Sequence, residues 1–190
     1  MGDTTQGPGR LEVVGEFVNT RDFDDDVDRL ATPGDLADWL TGHGLAAPGL
    51  RAEPADLRRA VELREALRAA LLANNDGQPV DGDTLAVLNR TARRGRLVVR
   101  FGPGGGAALE PVASDVDGAL ARLLAIVHDA TETGAWARLK VCRSDTCRWA
   151  FYDQSKNRSR HWCSMDVCGS QAKARSYRRR RASEPKAGQT

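Results

Sequence analysis

The chain has 190 residues, 41% of them hydrophobic and 28% charged, which suits one sizeable core with a small appendage. No eighteen apolar residues run together, and the first nine residues lack the apolar centre of a signal peptide, so neither a membrane span nor a secretory leader is expected. The net charge of +2 hides a segregation. Residues 1–137 carry 14 Lys and Arg against 22 Asp and Glu (net −8), and residues 138–190 carry 14 against 4 (net +10). One half is built to meet a polyanion, or to dock on the acidic half of the same molecule.

In chain order, Gly, Pro and Thr mark residues 1–10 as a disordered tail. Leu11 to Val18 place Val13, Val14, Phe17 and Val18 at helical spacing. The acidic run Asp22, Asp24, Asp25, Asp26 and Asp28 lacks the glycine and terminal Glu of an EF-hand and reads as a solvated loop. Thr32-Pro33-Gly34-Asp35 is a helix start, with Leu36, Trp39 and Leu40 following before Gly42 and Gly44. The longest predicted helix, about 54–74, seats Leu57, Ala60, Val61, Leu67, Ala70 and Leu71 on one face, with Arg58, Arg59, Glu62, Glu65 and Arg68 elsewhere. A helix over about 81–94 seats Leu85 and Leu88, with Gly95 closing it in the usual C-terminal position.

The period then changes to that of strands. Leu97–Phe101 and Ala107–Val112 flank a five-residue glycine-rich stretch and read as a β-hairpin over about 97–113. That stretch is a turn and not a phosphate loop, since neither a helix start nor a Lys follows it. Ser114-Asp115-Val116-Asp117 caps an amphipathic helix with Val116, Leu120, Leu123, Leu124 and Val127 in one stripe, expected to pack on the 54–74 helix. Trp136 and Leu139 lead on without a Gly/Ser linker, so the C-terminal part should be docked.

The four cysteines, Cys142, Cys147, Cys163 and Cys168, form two pairs of spacing Cys-x4-Cys separated by fifteen residues. Two turns can deliver four thiolates to one tetrahedral zinc. Two disulfides are the alternative, and they need an oxidising compartment. His161 is a competing ligand, and four thiolates would leave zinc no open position for catalysis. Trp149, Phe151, Tyr152 and Trp162 read as a mini-core for so small a unit, with base stacking as the alternative. A helix over about 170–181 carries Lys173, Arg175, Arg178, Arg179, Arg180 and Arg181, and a disordered tail follows from 183 to 190.

These residues carry a resemblance. Cys-Arg-Trp-Ala-Phe-Tyr-Asp at 147–153, Asn-Arg-Ser-Arg at 157–160, Trp-Cys-Ser-Met at 162–165 and Cys168-Gly169 resemble the CGNR zinc finger over about forty residues. In that family the finger follows a mostly helical ABATE domain read as a stress-induced transcription regulator. The N-terminal likeness is general: Phe17-Val18-Asn19-Thr20, an Arg/Leu-rich helix, then a hairpin. Ser170-Gln171 stands where the family name records Asn-Arg, so the turn glycine is kept and the named arginine is lost, with Lys173 or Arg175 one turn on as substitutes.

The resulting expectation is a mainly α protein with a small β-hairpin: a helical domain over 11–137 and a zinc finger over 138–182 ending in a basic helix. The function expected is that of a cytoplasmic, DNA-binding transcription regulator with Zn2+ as cofactor, and no catalytic motif points to an enzyme. Lys156, Arg158, Arg160, Gln171, Lys173, Arg175 and Arg178 to Arg181 are the candidate nucleic-acid contacts. Asn19, Arg21 and Trp39 are carried over from the family's general pattern as candidate contacts for a small-molecule effector, and a homodimer is a further expectation. A zinc–thiolate redox or protein-interaction module and an RNA-binding protein are the alternatives.

Overall fold

The computed structural model of the protein describes the backbone of residues 9–183 and the side chains of residues 9–178. Of the expected tails, residues 1–8 and 184–190 lie outside the described residues, and Gly9 and Arg10 form the turn that enters the first helix. The described elements are α1 (Leu11–Val18), β1 (Arg21–Asp22), β2 (Val27–Asp28), α2 (Pro33–Gly42), α3 (Pro54–Asp76), α4 (Gly82–Arg94), β3 (Leu97–Phe101), β4 (Ala107–Pro111), α5 (Val116–Glu132), β5 (Leu139–Val141), β6 (Ala150–Tyr152) and α6 (Ser170–Ser183). The strands form three separate antiparallel pairs, β1–β2, β3–β4 and β5–β6. The architecture is mainly α, as the sequence predicts.

Local chemistry explains where the helices begin. Thr32 caps α2 with a reciprocal pair of hydrogen bonds to Asp35 and a Pro follows at the first turn; Glu53, Pro54 and Asp56 repeat that arrangement for α3. Asp81 and Asp115 cap α4 and α5 through their carboxylates. Such caps satisfy donors that the helix leaves open, and each contributes about 1 kcal/mol. α3 runs to Asp76, two residues past the expected end, and Gly77 stops it in the left-handed conformation (φ 64°). That extension brings Asn75 inside the helix.

The core lies where α1, α2, α3 and α5 meet. Val14, Phe17 and Val18 of α1, Leu36 and Leu40 of α2, Leu63, Leu67 and Leu71 of α3, and Val116, Leu120 and Leu123 of α5 are all fully enclosed. Each such side chain contributes roughly 1.5–3 kcal/mol by leaving water. Leu139, Val141 and Ala150, from the expected finger, belong to this same cluster.

Three expectations need correction. Arg64 and Arg68 of α3 are buried, where the amphipathic pattern puts Arg68 on the surface. The reason is a set of partners distant in sequence: Asp28 takes both terminal nitrogens of Arg64 at 2.7 and 2.9 Å, so one residue of the acidic run is structural and not solvated. Burial tends to raise the Asp28 carboxyl, and the bonds from Arg64 and the Leu30 amide overcome it and hold it below its ordinary value. Gly95 does not end α4 in the left-handed region; Arg96 takes that conformation (φ 51°). Glycine is needed at 95 for space, because a Cβ there would lie 2.2 Å from the Ala121 Cβ and 2.8 Å from the Asp117 carbonyl oxygen. Gly169 closes a π turn, Met165–Gly169, as the turn glycine should, and a Cβ there would meet the Met165 sulfur at 2.4 Å.

The β3–β4 hairpin forms where expected, and its register sets Leu97 opposite Pro111, Val99 opposite Leu109 and Phe101 opposite Ala107. These six share one face, since alternate residues of a strand point the same way. Val99 and Phe101 are exposed there, Phe101 at 77%.

Candidate metal centre

The two cysteine pairs come together through backbone pairing. Cys142 follows β5 directly, and its N–H donates to the Trp149 carbonyl at 2.9 Å, prolonging the β5–β6 ladder. A tight turn from Ser144 returns the chain to Cys147, with the Cys147 and Arg148 amides both donating to the Ser144 carbonyl. The second pair arrives when the Arg143 N–H donates to the His161 carbonyl at 3.1 Å; the Ser164 hydroxyl then caps the π turn that carries Cys168.

The four sulfurs lie within 4.8 Å of one another, and the Cys147–Cys163 and Cys163–Cys168 separations are 3.6 and 3.8 Å. Zinc–sulfur bonds of about 2.3 Å in a tetrahedron require sulfurs about 3.8 Å apart, so the cradle has the size of a four-thiolate zinc site. All four cysteines are free, and these separations are far beyond a disulfide of about 2.05 Å. The donor chemistry fits as well. Hydrogen bonds from Cys147 and Cys163 hold Cys142 down at about 2; the same bonds push Cys147 up and Cys163 up to about 12, while burial raises Cys168. A dication among the four sulfurs would favour the ionised form of every one of them. Zn2+ would be held by all four sulfurs, Cys142, Cys147, Cys163 and Cys168, and would serve there as a structural cross-link.

A small shell supports the sulfurs. Phe151 is buried against them, with Trp149 and Trp162 packed alongside, as the mini-core reading expects, whereas Tyr152 packs against the helical core instead. Beyond it lies a buried ion pair, Lys140 Nζ to Asp153 Oδ2 at 2.8 Å, both nearly inaccessible. Lys140 also donates to the Arg158 carbonyl, and Asp153 accepts from the Ser155 and Arg160 amides, so the pair folds the 153–160 loop. Burial raises the Asp153 carboxyl, but the bonds from Lys140 and Ser155 outweigh it and hold it at about 2.

Two independent profile matches agree with this geometry. The ABATE profile, described as a putative stress-induced transcription regulator, matches residues 11–135, and that of the CGNR zinc finger matches residues 138–181. The chain belongs to the ABATE family. A comparison with curated proteins finds no match.

In this ABATE protein the CGNR finger is held to the helical part by side chains bonding to backbone. Asn19 Nδ2 donates to the Ala150 carbonyl at 3.0 Å while its Oδ1 accepts the Ala150 N–H at 2.7 Å, so one amide pairs with β6 as a strand would. Arg68 donates to the carbonyls of Val18 and Arg148. Asn75 Nδ2 donates to the Val141 and His161 carbonyls, and Asn74 Nδ2 to those of Trp136 and Leu139. Their role in the seam is not legible in the sequence, because their partners lie 50 to 131 positions away. The one available signal is that Asn74 and Asn75 sit where a helix end is expected.

Each of the candidate effector contacts has partners within the protein. Asn19 is buried in the seam between finger and helices; Arg21 pairs with Asp26 and lies over the Phe23 ring; Trp39 stacks on His43 at 4.0 Å and leans on Phe17. His161 turns its Nδ1 to the Asn75 Oδ1 at 2.7 Å, and the four converging ligands are the cysteines alone among the described residues. Among the nucleic-acid candidates, Lys156, Arg158, Gln171, Lys173, Arg175 and Arg178 are exposed or half-exposed. Arg160 is more enclosed: its guanidinium donates to the Cys163 carbonyl at 2.7 Å and lies over Phe151, which makes it part of the metal shell. The side chains of Arg179, Arg180 and Arg181 lie outside the described residues. No helix among the described residues is long and apolar enough to cross a membrane.

Proposed function

We propose that this protein is a cytoplasmic, DNA-binding transcription regulator in which zinc fixes the root of a cationic reading helix and the helical part senses an effector. The observation that carries it is α6. The helix starts directly at the Cys168–Gly169 turn, has no acidic residue, and presents Gln171, Lys173, Arg175 and Arg178 to solvent. A helix polar on all sides gains nothing from packing on a core, and a row of cations anchored at one end suits a phosphate backbone. Gln171 and Lys173, nearest the rigid zinc end, are placed to hold against base edges; the later arginines supply phosphate contacts.

A salt titration of duplex binding tests this, with an expected slope of about −3 to −5 for three to five phosphates neutralised. Changing Arg178, Arg179, Arg180 and Arg181 together to Ala should flatten the slope for specific and random DNA alike. A slope of zero, or unchanged binding by the quadruple variant, leaves α6 as a surface without a nucleic-acid role. Base stacking on RNA is the poorer reading, since Phe151, Trp149 and Trp162 are packed around the cysteines. So is thiolate redox chemistry, since Cys142, Cys147 and Cys168 are buried. The closed four-sulfur site also supports a non-enzymatic role. Homodimerisation through the apolar face of the β3–β4 hairpin completes the proposal, and Phe101→Lys should shift sedimentation from dimer to monomer.

A further inference from the structure

A cavity of about 450 Å3 opens at the seam between the helical part and the CGNR finger. Its floor is apolar, from Leu11 of α1 and Ile126 of α5, and the finger contributes Tyr152 and Arg158 to its wall. Arg10 and Arg138 also line it, so the lining holds three arginines and one acidic residue, Asp129. Arg138 uses one nitrogen on the carbonyls of Asp153 and Ser155, which fixes its position. Arg10 and Arg158 have no ion pair or side-chain hydrogen bond among the described residues, and Arg158 is held in the left-handed region (φ 51°). The carbonyl of Arg158, bonded to the buried Lys140, holds that backbone in place.

Unneutralised arginines beside a concave apolar floor have the character of a small-molecule site, whose volumes run roughly 300–1,000 Å3. We infer that this cavity binds a small amphipathic organic anion, its carboxylate or phosphate on Arg10 and Arg158 and its apolar body against Tyr152 and Ala135, the half-buried apolar residues of the lining. The regulatory part of this inference rests on the DNA-binding reading. Arg158 also belongs to the cationic face of the finger, so an anion seated on it removes a phosphate contact, and effector and DNA oppose each other with reciprocal coupling.

The test uses the zinc-loaded full chain with 1-naphthoate as probe, and 1-naphthamide and acetate as controls for charge and for apolar body. Amide shifts in NMR titration should move at residues 10–11, 126–135 and 152–158, with naphthoate at least 10-fold tighter than either control. Arg10→Gln with Arg158→Gln should weaken naphthoate at least 10-fold, and Thr133→Trp, which fills the mouth from an exposed position, should abolish its binding. No localised shifts, equal affinity for the amide, or undiminished binding by both variants overturns the site. The coupling is read separately: naphthoate should weaken duplex binding by the parent several-fold and leave Thr133→Trp, which retains the DNA-binding face, unaffected. Localised naphthoate binding to a chain that does not bind DNA keeps the site and overturns the opposition; naphthoate weakening parent and Thr133→Trp alike overturns the assignment of the effect to this cavity.

Discussion

Replacing Asn19 by Ala tests whether the helical part and the finger form one folding unit. The Asn19 amide satisfies both backbone groups of Ala150 inside the seam, at 2.7 and 3.0 Å. Ala150 is itself buried, so truncation leaves one N–H and one carbonyl without partners away from water. Each such loss costs about 1–3 kcal/mol; allowing for partial relaxation, the pair should cost about 2–4 kcal/mol. For a chain of this size that corresponds to a fall in Tm of about 4–16 °C. Urea unfolding at saturating zinc, followed by circular dichroism for the helices and, for the finger, by tryptophan fluorescence in a Trp39→Phe, Trp136→Phe background, should give one shared midpoint that moves by that amount. A loss under about 0.5 kcal/mol, as expected of an exposed residue awaiting a ligand, refutes the docking role.

Further outcomes follow from the same geometry. Chelation of zinc, or Cys147→Ser, should destabilise the helical part along with the finger, because Leu139, Val141 and Ala150 share its core; hydrogen exchange showing α3 and α5 fully protected without metal contradicts this. Asp153 sits at about 2 against an ordinary 3.8, so it releases its proton more readily folded than unfolded. Its contribution of about 2 kcal/mol is complete above pH 3.8, so Asp153→Asn should cost about that much in zinc-loaded protein and the loss should not change between pH 6 and 8. Gly95→Ala should cost about 1–3 kcal/mol through its collision with Ala121 and Asp117, whereas Gly104→Ala, with open space around it, should be neutral in the same melt.

The sequence by itself determined the features that depend on neighbours along the chain. Helix starts at Thr32 and Asp115, the glycine-rich hairpin turn, the stripe of Val116, Leu120 and Leu123, and the metal ligands all follow from spacing and capping chemistry within a few residues. Four cysteines in two pairs can meet at one ion whatever the rest does. Only the tertiary structure decided what Asn19, Arg64, Arg68 and Asn75 do, because a polar side chain in a helical pattern reads as surface until a distant carbonyl or carboxylate removes it from water. The same holds for Gly95, whose purpose is set by Ala121 packing against it and not by its own torsions, and for Arg160, drawn from the basic run into the metal shell by Phe151 and the Cys163 carbonyl. Local pattern records which conformations a segment favours; which surfaces then meet depends on contacts between residues far apart in the chain, and those leave no periodicity to read.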